Sequence, residues 1–154
     1  MTLDCQTPVG RTFLRHEDET VRRVAELFNC TPVRLGGLAT STDRLFVRQE
    51  KLVGVAEIKS RQMSLHDLKR FGSYLITEKK LLDGAALSKQ LHIPYAVVVR
   101  LLRDDTIVCW RVTDATGQPV LRWQTQRTET QRSCNGGTAL RDNAYLPLTA
   151  MRRF

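Results

Sequence analysis

The pattern of apolar and polar residues is clearest between positions 42 and 59, where it predicts two short strands joined by a turn. Residue types that strands prefer occupy positions 45–47 and 52–58, and the polar residues 49–51 between them have the length of a hairpin connection. Successive side chains of a strand point to opposite faces of its sheet. The second strand is therefore predicted to present on one face Val53, Val55, Glu57 and Lys59.

The register of this hairpin determines which polar side chains meet. If the hairpin is centred on Glu50, Asp43 lies opposite Glu57 and on the same face. Directly opposed residues have Cβ atoms about 4.5–5.5 Å apart, and two carboxylates at that spacing repel each other unless a cation lies between them. Oxygen ligands of this kind suit Mg²⁺ or Mn²⁺. Lys59 points the same way and could orient or deprotonate a metal-bound water, or neutralise charge on a phosphate.

Asp43, followed fourteen positions later by Glu57-Ile58-Lys59 on an apolar strand, resembles the signature of the PD-(D/E)XK nuclease superfamily. The resemblance covers most of the chain and is closest to small single-domain nucleases of the phage and Holliday-junction-resolvase kind. It implies one nuclease domain over residues 1–154, with an α/β fold in which helices flank a central mixed β-sheet, as in restriction endonucleases. The implied activity is Mg²⁺-dependent hydrolysis of DNA phosphodiester bonds, as an endonuclease or an exonuclease.

The same resemblance implies roles for individual residues. Asp43, Glu57 and the carbonyl of Ile58 would hold Mg²⁺ or Mn²⁺, and Lys59 would assist the nucleophile. In such nucleases a tyrosine and a lysine occur near the position of Tyr74 and Lys80. These two are therefore candidate contacts to nucleic acid, with Arg61 as a further one, although a solvated lysine is the alternative for Lys80.

Many nucleases of this type also place a glutamate from the first helix beside the metal. The spacing of Val21, Val24, Ala25 and Phe28 predicts an amphipathic helix over residues 17–29, after an irregular arm at 1–14. At about 100° per residue, Glu17 falls about 40° from Val21, Asp18 about 60° and Glu19 about 160°. Glu17 is therefore the predicted catalytic and metal-proximal acid, with Asp18 in reserve. The alternative is that all three acids only complement the dipole of the first helical turn.

The remaining pattern predicts an alternation of helices and strands. A helix over 64–76 begins with a capping box at Ser64 and Asp67, and a second helix runs from Thr77 to about His92. Further strands are predicted at 33–38, 95–102, 106–112, 120–126 and 144–148, with the second and third forming an antiparallel pair. In and after the strand at 120–126, Trp123 is accompanied by Arg122, Arg127 and Arg132. This region is either a nucleic-acid surface or an edge strand protected by charge.

Composition is consistent with a protein that binds a polyanion. The 154 residues are 42% hydrophobic, which is enough to build one core, and the net charge is +8. No apolar run approaches the length of a membrane span, and residues 1–10 lack the features of a signal peptide. The scattered cysteines Cys5, Cys30, Cys109 and Cys134 favour neither a zinc site nor a disulfide framework. We therefore expect a DNA-binding protein in the reducing cytoplasm of a bacterial or phage-infected cell.

Two other functional classes remain open from the sequence. One is a non-catalytic nucleic-acid-binding module on the same fold, and the other is a structural or assembly protein whose charged residues are incidental. Within the nucleases, a junction resolvase would be a symmetric homodimer, whereas a monomer would indicate a nicking or end-processing enzyme.

Overall fold

The computed structural model describes residues 7–35, 44–129 and 137–154. Asp43, Arg132 and part of the predicted strand at 33–38 lie outside these ranges. The elements, in chain order, are α1 (Pro8–Leu27), β1 (Thr31–Arg34), β2 (Arg44–Arg48), β3 (Lys51–Arg61), α2 (Leu65–Phe71), β4 (Ser73–Thr77), α3 (Glu78–Leu91), β5 (Tyr95–Leu101), β6 (Thr106–Arg111), β7 (Gln124–Glu129), β8 (Leu140–Pro147), a short 3₁₀ turn (Leu148–Ala150) and β9 (Met151–Arg153).

Six of these strands form a central mixed sheet in the order β1-β2-β3-β5-β6-β9. β3 and β5 run parallel, and the other neighbouring strands described in this sheet are antiparallel. A smaller antiparallel sheet has the order β4-β8-β7. The predicted α/β fold with a central mixed sheet flanked by helices is therefore confirmed. None of the helices in the described ranges combines the length and apolar character that a membrane span requires.

The two faces of the central sheet carry separate apolar cores. On one face, α1 packs through Val21 and Val24 against Ala56 and Ile58 of β3. On the other face, a larger core joins Val55 of β3 to α2, α3, β5 and the smaller sheet. Because side chains alternate along β3, Glu57 points to the same face as Val55, toward α3.

The β2–β3 hairpin keeps the predicted register at its open end and departs from it near the turn. Arg44 pairs with Ala56 and Phe46 with Gly54, as a centre at Glu50 predicts, but Arg48 pairs with Lys51 instead of Leu52. Gln49 and Glu50 have φ angles of 48° and 63°, which make a tight two-residue turn. A bulge opposite Phe46 and Val47 absorbs the extra residue, so Val53 packs on the α1 side and does not share the face of Val55.

The first helix begins nine residues earlier than predicted. Thr7 is the N-cap, its side chain accepting a hydrogen bond from the Gly10 amide at 3.0 Å, and Pro8 is the first helical residue. The predicted irregular arm at 1–14 is therefore wrong from Pro8 onward. Glu17, Asp18 and Glu19 lie in the middle of the helix, where the first-turn dipole explanation does not apply.

The predicted helix over 64–76 is two elements. Its capping box is present, with Ser64 Oγ accepting from the Asp67 amide at 3.1 Å and Asp67 accepting from the Ser64 amide at 2.8 Å. Gly72, at φ 77°, then ends α2 in the left-handed conformation. The following residues form β4 because pairing with β8 places Tyr74 opposite Leu146.

The rest of the chain follows the predicted order with shifted boundaries. β5 and β6 form the predicted antiparallel pair, and β5 is buried on both faces. The predicted strand at 120–126 is found at 124–129 as β7, an edge strand of the smaller sheet. The predicted strand at 144–148 starts earlier, at Leu140, and β9 had no counterpart in the prediction.

Candidate active site

Glu57 is a fully buried carboxylate in the middle of β3. Two lysine ammonium groups approach the same oxygen, Oε1, with the Lys59 Nζ at 2.7 Å and the Lys80 Nζ at 3.5 Å. Removing a carboxylate from water costs several kcal/mol, which these ion pairs offset. Lys59 is 22% exposed and Lys80 33% exposed, so the cations lie between the buried carboxylate and the surface.

The three side chains come from two elements of the fold. Glu57 and Lys59 share a face because they are two residues apart on β3. This strand pairs with β2 along one edge and with β5 along the other. Lys80 comes from the first turn of α3, and its carbonyl accepts a hydrogen bond from the buried Tyr95 hydroxyl at 3.1 Å. The structure thus brings Lys80, predicted as a phosphate contact, to the carboxylate of Glu57.

Helix α3 approaches β5 closely because it carries a glycine at the contact. The buried residues of α3 are Leu81, Gly84 and Ser88. A Cβ atom added to Gly84 would lie only 2.2 Å from Cζ of Tyr95. The glycine therefore sets the distance between α3 and the sheet, and with it the position of Lys80.

The other two predicted nucleic-acid contacts are placed differently. Tyr74 is 1% exposed and stacks on Trp110, with ring centroids 5.2 Å apart. It is a core residue with no surface to offer a ligand, so its prediction as a nucleic-acid contact is corrected. Arg61 is half-buried at the end of β3, where its Nη1 donates to the Ser60 carbonyl at 3.0 Å.

The acids of α1 lie on the opposite face of the sheet from the Glu57 side chain. Arg44, at the start of β2, has its guanidinium 3.1 Å from Asp18 and 3.9 Å from Glu17. Of the three acids, Glu17 is the most buried at 27% exposed, which agrees with its predicted inward orientation. Glu19 does not simply face water, because it forms an ion pair with Arg100 at 2.9 Å.

The sequence pattern did not identify Arg44 and Ser60, which join α1 to the central sheet. Ser60 lies one residue beyond Lys59 on the α1 side, where its hydroxyl meets that of Thr20 at 3.0 Å and donates to the His16 carbonyl at 3.3 Å. Both hydroxyls are buried, so this contact fixes the middle of α1 to β3 beside the candidate site. A polar residue within an apolar strand was the sequence signal available for Ser60.

The described residues include some of the predicted ligands of a divalent cation. Glu57 is a hard oxygen donor of the kind Mg²⁺ prefers, and Ile58, whose carbonyl is the other predicted ligand on β3, is buried. Within residues 7–35, 44–129 and 137–154, no three His, Cys, Asp or Glu residues are close enough to hold a metal ion. Asp43, the residue before β2, lies outside these ranges. The described residues therefore fit a divalent cation only in combination with Asp43.

The fold and this site define a class of protein. A mixed sheet whose central strand carries a buried glutamate and a lysine two residues later, with a helix on each face, is the arrangement of a PD-(D/E)XK nuclease. A family model described as "Phage putative PDDEXK endonuclease" matches residues 12–131. The chain belongs to this family.

Two further comparisons returned no relatives. None of the curated proteins matches the chain. None of the solved structures matches it either.

Proposed function

We propose that this protein is a metal-dependent deoxyribonuclease that hydrolyses phosphodiester bonds in DNA. The observation that carries the proposal is the convergence of Lys59 and Lys80 on the fully buried carboxylate of Glu57. Packing alone does not require such a group, since apolar residues of similar volume often stabilise a core as well as a buried ion pair does. A buried carboxylate paired with two cations is common at catalytic sites.

Asp43, Glu57, the carbonyl of Ile58 and Glu17 are the proposed ligands of Mg²⁺ or Mn²⁺. When bound, such a cation supplies Lewis-acid stabilisation of the phosphate and lowers the pKa of a water molecule. The last described pair of the hairpin, Arg44 with Ala56, has the register in which Asp43 is predicted to lie opposite Glu57. Glu17 is included because it is the most buried of the three acids of α1, although α1 packs on the face of the sheet opposite the Glu57 side chain.

The two lysines have separate proposed tasks. Lys59, 2.7 Å from Glu57, orients the attacking water by donating a hydrogen bond to it. Lys80 is farther from the carboxylate and nearer the surface, where it neutralises charge that builds on the phosphate in the transition state. Arg61 and other basic side chains would hold the DNA backbone, so DNA binding should weaken steeply as salt concentration rises.

The first test compares cleavage of linear, nicked, flapped and four-way DNA with Mg²⁺, with Mn²⁺ and with a chelator. Glu57→Gln and Lys59→Met are expected to lower the rate by at least about 100-fold, which corresponds to about 2.7 kcal/mol in the barrier. The matched pair Lys80→Met and Lys79→Met separates catalysis from surface charge, because Lys79 is 78% exposed and pairs only with Asp83 among the contacts described. If Glu57→Gln remains folded and cleaves at the wild-type rate, the proposed site is wrong.

A second test addresses the shared cation. Asp43→Asn replaces one anionic ligand by a neutral one and should weaken Mn²⁺ binding, as measured by isothermal titration calorimetry. Identical Mn²⁺ affinities for Asp43→Asn and the wild type would contradict the proposed ligand set.

The alternative is a non-catalytic DNA-binding module on the same fold. The presence of Glu57, Lys59 and Lys80 in contact argues against it, and DNA binding without cleavage under any divalent cation would favour it. Sedimentation in solution distinguishes the symmetric homodimer expected of a junction resolvase from a monomeric end-processing or nicking enzyme.

A further inference from the structure

An open cleft of about 520 Å³ lies on the smaller sheet, beside the end of α2. Three aromatic side chains contribute to its walls: Phe71, Trp123 and Tyr145. Phe71 is 69% exposed, the highest value among the large hydrophobic residues in the described part of the chain. Because Phe71 shares the cleft with Trp123 and Tyr145, its exposure is part of a contiguous aromatic surface, which is the kind of feature that marks an interaction site.

The polar residues of the cleft are neutral or basic. Gln124 and Gln126 of β7 and Arg122 line it, and none of the described residues in its walls is acidic. Lys69 and Arg70 directly precede Phe71 and are exposed. The cleft therefore combines aromatic surface with amide hydrogen-bonding groups and positive charge, which complements a polyanion that carries aromatic rings.

The aromatic side chains are held in place by hydrogen bonds and backbone geometry. Trp123 donates its indole N–H to Glu78 at 3.0 Å, and the Tyr145 hydroxyl lies 3.1 Å from that of Thr128. Phe71 is the last residue of α2, and the left-handed turn at Gly72 sets the backbone position from which its exposed ring projects. Rings ordered before binding lose less conformational entropy when a ligand stacks on them.

This cleft is linked to the candidate active site through the first turn of α3. Glu78 binds Trp123 at one side of that turn, and Lys80, two residues later, contacts Glu57. The first turn of α3 thus holds a wall residue of the cleft and also carries the proposed phosphate-neutralising lysine.

We propose that this cleft binds a single-stranded segment of the DNA substrate, with unpaired bases stacked on Phe71 and Trp123 and the backbone near Arg122. The proposal rests on the proposed deoxyribonuclease function for the choice of DNA. Single strands are favoured over duplex because the faces of bases are available for stacking only where they are unpaired. The preferred substrate would therefore carry a flap, a frayed end or a junction with unpaired bases.

Binding is measured without divalent cation, by fluorescence anisotropy of a labelled oligothymidylate and of a blunt hairpin duplex. Phe71→Ala should lower affinity for the single strand by about fivefold or more, from the stacking energy of one base. The control Leu27→Ala removes an apolar side chain of similar exposure, 50%, from α1 on the other side of the central sheet, and should leave affinity unchanged.

Intrinsic fluorescence provides a local readout. The chain has two tryptophans, and Trp110 is fully buried, so quenching by oligothymidylate should come from Trp123. Trp123→Phe should abolish the quenching while the protein stays folded, as judged by its far-ultraviolet circular dichroism.

The outcomes separate this inference from the proposed activity. The cleft assignment is overturned if folded Phe71→Ala binds the single strand with wild-type affinity. It is also overturned if the duplex competes as well as the single strand. Glu57→Gln should still bind oligothymidylate and show the quenching. Loss of cleavage in Glu57→Gln without loss of binding supports both assignments, whereas undiminished cleavage by Glu57→Gln overturns the active site alone.

Discussion

Gly84 offers a direct test of how packing positions the candidate site. A Cβ atom at this position would lie 2.2, 2.4 and 2.6 Å from three ring atoms of Tyr95, and the ring is fully buried. Ordinary contacts begin at about 3.4 Å, so Gly84→Ala requires α3 and the ring to separate by about 1.2 Å. Because the ring is fully buried and its hydroxyl is hydrogen-bonded to the Lys80 carbonyl, we expect the helix to move.

The free-energy cost of Gly84→Ala has opposing contributions. Overpacking a well-packed core costs about 1–3 kcal/mol. Losing the hydrogen bond from Tyr95 to the Lys80 carbonyl adds about 1 kcal/mol, while the higher helix propensity of alanine returns up to about 1 kcal/mol. The expected net loss is about 1–3 kcal/mol, and each kcal/mol should lower Tm by about 2–4 °C.

Gly84→Ala should also lower the rate of DNA cleavage, even under conditions where the variant remains folded. Lys80 lies one turn before Gly84, and its ammonium group is already 3.5 Å from Glu57. A helix shift of about 1 Å would weaken that contact and should reduce cleavage at temperatures where the variant remains folded. Urea unfolding measures the stability, and initial rates on the best DNA substrate measure the activity.

Two matched variants complete this test. Gly54→Ala places its Cβ 3.6 Å from the Pro94 carbonyl, which is an ordinary contact. This variant should therefore change neither the stability in urea nor the cleavage rate greatly. In a Tyr95→Leu background, Gly84→Ala should cost much less, because the colliding ring is absent. A Gly84→Ala protein with wild-type stability and activity would refute the argument that this glycine sets the position of α3.

Three further predictions concern single side chains. The Ser64 backbone amide lowers the pKa of Asp67 below 3.8, so the stabilisation from the ionised Asp67 is fully present above that pH and is lost as pH falls further; Asp67→Asn should be less stable than wild type in urea at about pH 7, and the difference should shrink as pH falls below 3.8. Burial raises the pKa of the Cys109 thiol to about 11, so in a variant with Cys109 as sole cysteine iodoacetamide should react slowly until denaturant is added. Glu17→Gln should lower the cleavage rate by about tenfold, about 1.4 kcal/mol, and Glu19→Gln should change it little; the reverse pattern would move the metal-proximal role to Glu19.

In the β2–β3 hairpin, the local alternation of apolar residues predicted the strand pairing but not the turn. Alternation along β3 correctly placed Val55 and Glu57 on one face, and the pairing of Arg44 with Ala56 follows the predicted register. The turn itself was predicted one residue too long, because the bulge that compensates has no sequence signal comparable to the apolar alternation. Such a bulge moved Val53 to the other face without altering the site.

Boundary errors arose where local signals competed. The helix of α1 was predicted to start at the acidic residues, although Thr7 and Pro8 form a proper cap nine residues earlier. Tyr74 and its neighbours fit a continued helix by spacing alone, but pairing with β8 makes them a strand. That pairing depends on residues about seventy positions away, so no local window of sequence contains it.

The sequence by itself determined the α/β fold class and the spacing of Glu57 and Lys59 on one strand, because strand alternation and apolar spacing are local properties. The parallel pairing of β3 with β5 came from the tertiary structure. Only the tertiary structure decided that Tyr74 is buried against Trp110, that Lys80 reaches Glu57, and that Arg44 of β2 pairs with the acids of α1. Each of these contacts joins segments distant in the chain. The geometry of these contacts depends on the distances between helices and sheet, which residues such as Gly84 and Tyr95 set only once the chain has folded.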